Sequence, residues 1–305
     1  PVPDGLDLTM NLNQEQVARL RIGLIGAGRV GAPLTAALAR AGHHVVGVSA
    51  ISKASRERVE LLLPEAPLLP PDEVATSCDL LILTPPDDAL AQLAKGLAEV
   101  GSLRTGQLVM HTAGRFGVGV FDAILETGIL PMAIHPVMTF TGTSIDLSRI
   151  AGAFFGVTTP EPLLPIAQAL VLEMGGEPLV IAEKDRPLYH LALSWSTNFI
   201  TAVIAQGSEW LNQIGIDQSE RLLHPLLDAA VDNVLRRGDS ALTGPIARGD
   251  VGSVRSHLDA LHDRAPELVV SYKTLGRLTA TRALEHGLIT PLQATTLLEV
   301  LSDRS

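Results

Sequence analysis

The segment GAGRVG at 26–31 carries the pattern G-x-G-x-x-G. It follows a short apolar run, RIGLI (21–25), and opens an Ala/Leu-rich stretch, RVGAPLTAALARA (29–41), that stops at Gly42. A strand, a glycine turn and a helix N-terminus in that order make a phosphate cradle. Gly26 permits the tight turn, Gly28 lets the backbone approach a pyrophosphate, and Gly31 allows close helix–strand packing. Arg29 and Val30 complete the loop. The chemistry this pattern predicts is dinucleotide binding.

The next strand, HHVVGVS (43–49), ends on Ser49, where an acid would grip a ribose 2′-hydroxyl; no acid appears until Glu57. Ser49, Ser52, Lys53 and Arg56 offer hydroxyl donors and two positive charges, which suit a 2′-phosphate. Cations at a helix start oppose the helix dipole, so their placement is informative. The expected cofactor is NADP(H) rather than NAD(H), the plain alternative being solvated charges.

Ligands of open α/β sheets sit beyond the carboxyl ends of the strands. TPPDD (84–88), with Thr84 and Pro85, falls there and is expected to pass over the ribose–nicotinamide side. HTAG (111–114) and HPVMTF (135–140) place His111 beside the cofactor and His135 at the substrate, each able to donate a hydrogen bond or act as an acid. For each, the plainer alternative is a loop histidine bonding backbone. Farther on, LYHLALSWSTNFITAVIA (188–205) is mostly apolar, yet His190, Ser194, Thr197, Asn198 and Thr201 share one arc of about 100° at helical pitch. Uncharged hydrogen-bonding types on an apolar helix predict a lined cavity, with an ordinary amphipathic helix as the alternative. In SALTGPIARGD (240–250), Thr243 and Arg248 are substrate candidates, Arg248 for a carboxylate, while Asp250 could cap the next helix. No metal is expected.

These residues need a frame. Strand-length apolar runs at 21–25, 43–49, 78–84, 107–112, 130–136, 153–159 and 177–182 alternate with helical segments at 29–41, 54–63, 87–100, 120–128 and 162–176. That spacing predicts a doubly wound, mostly parallel α/β Rossmann sheet. After about residue 185 the text is helical, near 186–214, 217–236, 250–263, 266–286 and 290–302. The expected organisation is a flexible arm over 1–20, a nucleotide-binding domain over 21–184 and a helical domain over 185–305. A chain of 305 residues, 46% of them apolar, can bury a large core. Its formal charge of −10 and few aromatics argue against nucleic acid, and no apolar run spans a bilayer. A single cysteine, Cys78, and the lack of a signal-peptide pattern predict the cytoplasm.

GLIGAGRVG, LILTPPDD, VMHTAG, AIHPVMTF, YHLALSWSTN and ALTGPIARGD occur in that order. Together they resemble the Rossmann-like proteins joined to the domain of unknown function 2520 (DUF2520), within the 6-phosphogluconate-dehydrogenase-like superfamily. The resemblance implies a helical domain that forms the dimer interface, a site in the cleft between the domains, and NADP-dependent oxidoreduction of a small molecule. Superfamily relatives reduce keto acids such as ketopantoate, or cyclic imines. The hydroxyacid dehydrogenases and ketopantoate reductases of the superfamily carry Lys-x-x-x-Asn on the first helix of the second domain; here that helix has His190, Ser194 and Asn198 and no lysine on the stripe. The first expectation is therefore a reductase in which His190 or His135 gives the proton, Asn198 and Ser194 bind the reacting oxygen, and Arg248 takes a carboxylate. The second is a non-catalytic NADP(H)-binding sensor or scaffold.

Overall fold

The computed structural model describes residues 19–302, so the expected N-terminal arm lies, except for its last two residues, outside the described residues. Seven strands form one sheet: β1 (Arg21–Ile25), β2 (His44–Ser49), β3 (Leu80–Leu83), β4 (Leu108–His111), β5 (Leu130–Pro136), β6 (Phe154–Thr158) and β7 (Glu177–Val180), in the order β2-β1-β3-β4-β5-β6-β7. The first five run parallel. β6 turns antiparallel to β5, and β7 runs parallel to β6. A single parallel bridge from Val48 to Leu68 extends the sheet beyond β2.

The helices of the sheet unit are α1 (Gly31–Arg40), α2 (Lys53–Leu62), α3 (Pro71–Ser77), α4 (Asp87–Glu99), α5 (Ile145–Ile150) and α6 (Leu164–Glu173). Both faces of the sheet are covered. Leu80 and Ile82 of β3 pack into a core with Leu34, Leu38 and Leu170, while Leu81 and Leu83 face Val74, Leu90, Leu97 and Phe121. A strand buried on both sides reads as an unbroken apolar run, which is why LLIL shows no alternation. On α4, Leu90, Ala94 and Leu97 recur at helical spacing and are buried, and Asp87 and Asp88 sit at the dipole's positive end. The helix expected at 120–128 is a 3-10 helix over Val118–Thr127. Its first N–H groups are held from outside, those of Val118 and Gly119 donating to the Glu183 carboxylate at 2.8 and 3.1 Å. α3 and α5 were not expected from the sequence.

From the 3-10 turn Glu183–Asp185 the chain enters α7 (Arg186–Gln213), followed by α8 (Ser219–Arg237), α9 (Gly244–Ala247), α10 (Val251–Arg264), α11 (Val269–Glu285) and α12 (Pro291–Val300). The chain forms two compact units, one up to Ile200 and one from Thr201. The second has its own core, including Val254, Leu258, Leu261, Ala280, Leu297 and Leu301. A reciprocal Thr290–Gln293 cap fixes the start of α12. Among the described residues, no helix is long and apolar enough to cross a membrane.

Candidate functional site

The glycine loop lies where the chain leaves β1, at the point where the strand order reverses between β1 and β3. Gly26 has φ +98°, and a Cβ there would stand 2.7 Å from the Thr84 carbonyl oxygen. A Cβ on Gly31 would collide with the Thr84 hydroxyl and come within 3.1 Å of Leu24, so this glycine lets α1 sit down on β1. Gly28 differs: a Cβ there would meet nothing nearer than a carbonyl at 4.0 Å. Its outer side is open to a ligand. The Thr84 hydroxyl donates to the Gly26 carbonyl at 2.5 Å and ties the β3 loop to the turn. No side chain caps the N-terminus of α1. Open N–H groups, a dipole end and a bare glycine together fit the phosphates of a dinucleotide.

That loop forms one wall of a cavity of about 290 Å³. Gly28, Arg29, Val30, Gly31, Thr84 and Pro85 line it, as do Thr112, Ala113 and Gly114 of the β4 loop, and His135 and His190. The two imidazoles stand edge to face with centroids 6.3 Å apart. Gly114 is where they meet the β4 loop, since a Cβ there would lie 2.6 Å from His190 Cδ2 and 2.9 Å from His135 Nε2. Burial pushes His135 down to about 4, and the neighbouring Arg186, His190 and His111 push the same way. His135 is therefore a neutral imidazole near pH 7. Its Nδ1 lies 2.9 Å from the Tyr189 hydroxyl.

His111 is fully buried and does not line the cavity. Its Nδ1 accepts the Ala113 N–H at 3.1 Å, so its Nε2–H donates to the Gly117 carbonyl at 2.8 Å. Both ring nitrogens are spent on backbone, which shapes the loop carrying Thr112 to Gly114. Burial, set against the Gly117 bond and aided by Arg186, lowers His111 to about 4.

At the end of β2, Ser49 is buried and its carbonyl accepts the Gly26 N–H at 3.1 Å. Ser52 caps α2, accepting the Ser55 N–H at 3.1 Å. Lys53 is 91% exposed and pairs loosely with Glu57 at 3.7 Å. Arg56 turns back to the Ala50 carbonyl at 3.2 Å. The sequence reading passed over Arg58, which donates from Nη1 to the Ala27 carbonyl of the glycine loop at 2.8 Å. Positions 56 and 58 stand about 200° apart on a helix, so only one of the two arginines can face the loop. The Thr141–Thr143 turn closes in from the other side: a Cβ on Gly142 would lie 2.6 Å from Arg58 Nε and 3.2 Å from Arg29 Cγ. Buried Asp146 fixes that turn by accepting the N–H groups of Thr141, Gly142 and Thr143. Burial alone would raise the Asp146 carboxyl, but these donors and the Thr141 hydroxyl outweigh it and hold it low.

The α7 stripe is not enclosed as the sequence pattern suggested. Only Arg186 of that helix is buried. His190 reaches the cavity; Ser194 is half-buried, Thr197 and Asn198 are exposed, and none of these three lines it. In the second unit, Thr243 and Arg248 are exposed, and Asp250 caps α10 by accepting the Ser253 N–H at 3.0 Å. Among the described residues, no group of three or more His, Cys, Asp or Glu is placed to hold a metal ion.

Residues 7–136 match the model of the Rossmann-like domain, and residues 153–279 match that of DUF2520. No curated protein matches the sequence. Among solved structures, a Bacteroides fragilis protein provisionally assigned as an NADP oxidoreductase is 24% identical, with TM-score 0.72 over 86% of this chain and 98% of its own. A Thermotoga maritima protein is 22% identical, with TM-score 0.63 over 87% and 99%. Pyrroline carboxylate reductase from Plasmodium falciparum, solved with NADP bound, is 13% identical, with TM-score 0.54 over 93% and 98%. At these identities the likeness is one of fold.

Proposed function

Because the chain joins a Rossmann-like domain to DUF2520, we propose that it is an NADP(H)-dependent oxidoreductase acting on a small keto or hydroxy acid. The observation that carries this reading is one cavity lined by both the glycine loop and two histidines, His135 and His190. The names of the Bacteroides and Plasmodium structures support the cofactor class. Gly28 and the first turn of α1 would hold the pyrophosphate. Arg58 and Arg29, with Ser49, Ser52 and Lys53 nearby, would face the 2′-phosphate. Thr84 and Pro85 would lie along the ribose–nicotinamide side, over the loop that His111 shapes. NADPH, when bound, supplies a hydride. His135 and His190 would hold and polarise the substrate oxygen, and His190 would give the proton in place of the lysine that hydroxyacid dehydrogenases and ketopantoate reductases of the superfamily carry on this helix. Ser194 and Asn198, about one and two turns beyond His190 on α7, do not line the cavity here and are proposed for the substrate oxygen in the ligand-bound protein; Thr243 and Arg248, in the second unit, are proposed for a carboxylate.

The same reading includes a homodimer. Leu188, Leu191, Trp195, Phe199 and Val203 of α7 are each more than half exposed. At helical pitch these five share one arc of about 120°; an exposed apolar face of this kind calls for a cover, and a second copy of the chain is the proposed cover. The catalytic claim is tested by screening 2-keto acids against NADPH oxidation, with His190→Gln and Asn198→Ala as variants. Each should lower kcat by about a hundredfold or more, the usual contribution of a positioned acid or oxygen donor, while NADPH binding stays unchanged. NADPH binding without turnover of any carbonyl compound would leave a sensor instead.

A further inference from the structure

His135 on β5 pairs directly with Gly156 on the antiparallel strand β6. Gly156 has no side chain, and the Tyr189 ring fills the space one would occupy. A Cβ at 156 would stand 2.6 Å from the phenol oxygen and 2.8 Å from Cζ. From that seat Tyr189 meets His135 edge to face at 90°, with its hydroxyl 2.9 Å from Nδ1. Arg186, buried in the first turn of α7, fixes the helix there. Its Nε donates to the Thr158 hydroxyl at 2.7 Å, and its Nη2 to the carbonyls of Ala133 and Gly156 at 3.0 and 2.9 Å.

The direction of the Tyr189–His135 bond follows from the state of the phenol. Among the described residues, the phenol oxygen has one recorded hydrogen-bond partner, His135 Nδ1. Burial raises the Tyr189 hydroxyl above its ordinary range, against the opposing pull of Arg186, so the phenol keeps its proton. With no other acceptor recorded within its reach among the described residues, the phenol gives that proton to His135 Nδ1, 2.9 Å away. A neutral imidazole that accepts at Nδ1 carries its hydrogen on Nε2. Nε2 is the atom on the Gly114 side, within the cavity wall.

We propose that Tyr189, seated on Gly156, locks His135 in the Nε2–H tautomer, so that His135 presents a neutral hydrogen-bond donor to an acceptor oxygen of the small molecule in the cavity. The inference rests on the cavity being the substrate end of a nicotinamide site. It deepens that reading in two ways. A fixed donor suits a carbonyl or carboxylate oxygen and disfavours a protonated imine, which would present a second N–H to it. It also divides the two histidines, with His135 holding the oxygen and His190 left to transfer the proton. Tyr189 is a positioning residue.

The test is long-range 1H–15N NMR of the full chain with labelled histidine, His135 being assigned by loss of its signals in His135→Gln. The wild type should show a protonated Nε2 and a bare Nδ1, unchanged from pH 6 to 8. Tyr189→Phe should give a mixture of both tautomers at His135 while the other histidines keep theirs. Gly156→Ala, which displaces the phenol, should do the same. If the variants do not fold, the wild-type spectrum decides alone. A protonated Nδ1 in the wild type, or a pure Nε2–H tautomer persisting in Tyr189→Phe, would overturn the inference. Melting with NADPH is read on the same samples. A locked tautomer without an NADPH shift would sink the oxidoreductase reading and leave the lock standing.

Discussion

His135 and His111 are the two groups whose charge the fold opposes most clearly. Both are brought down to about 4 by burial, with Arg186 adding to it. In the unfolded chain each titrates near 6.5. Between about 6.5 and 4 the unfolded chain therefore binds more protons than the folded one, and stability rises with pH across that window. Their contribution is fully present above 6.5 and is lost as pH falls toward 4. Urea midpoints at pH 7, 5.5 and 4.5 should drop in that order, and His111→Gln, if it folds, should flatten the trend. The residue types were legible: an imidazole at each strand end could be read from QLVMHT and PMAIHP. What each ring nitrogen touches was not. The backbone partners of His111 depend on how residues 112–117 curl back, and Tyr189 reaches His135 only because the opposed strand has a glycine. Arg58 was passed over for the same reason: sequence gives its helix, and only the angle about that helix gives its target.

At the scale of elements, the sheet was written plainly because its central strands β3 and β4 are buried on both faces and its helices stop at glycines and prolines. The reversal at β6 was not, since an apolar run has no direction. Nor was α5, because FTGTSIDLS reads as a polar loop until Asp146 is seen turning back to gather the N–H groups of residues 141–143. That carboxylate holds the turn that closes against Arg29 and Arg58. Asp146→Asn removes one acceptor oxygen from a fully buried site, and an unsatisfied buried donor costs about 1–3 kcal/mol. The urea midpoint should fall accordingly, and NADPH affinity should fall with it. Unchanged stability and affinity in Asp146→Asn would separate this turn from the glycine loop. For α7 the periodicity marks a polar stripe, but periodicity ranks the faces of a helix without saying how many are covered. In the single chain most of α7 stays open.

For the whole molecule, that open helix leaves several large apolar side chains uncovered among the described residues. Trp195 and Phe199 meet edge to face on the surface with centroids 5.1 Å apart, beside exposed Leu188 and Leu191 of the same helix. A patch of this kind marks an interaction surface. Sedimentation equilibrium should give twice the 32.2 kDa subunit mass, and Trp195→Asp with Phe199→Asp should shift the protein toward monomer without lowering its helix content. A monomeric wild type at micromolar concentration would remove the second copy from the account. Charge points the same way as geometry at the cofactor end: in a chain of net charge −10, Arg29 and Arg58 flank the glycine loop with no carboxylate recorded against either among the described residues.

Whether this loop and its arginines hold a phosphorylated dinucleotide is read from thermal melting. The protein is melted alone, with NADPH and with NADH. At about a hundred times its dissociation constant, a ligand of the folded state adds about 2.7 kcal/mol. The account predicts a clear upward shift with NADPH, little with NADH, and loss of that difference in Arg58→Gln. Equal shifts with both cofactors would contradict the 2′-phosphate assignment, and no shift with either would contradict the nucleotide site itself.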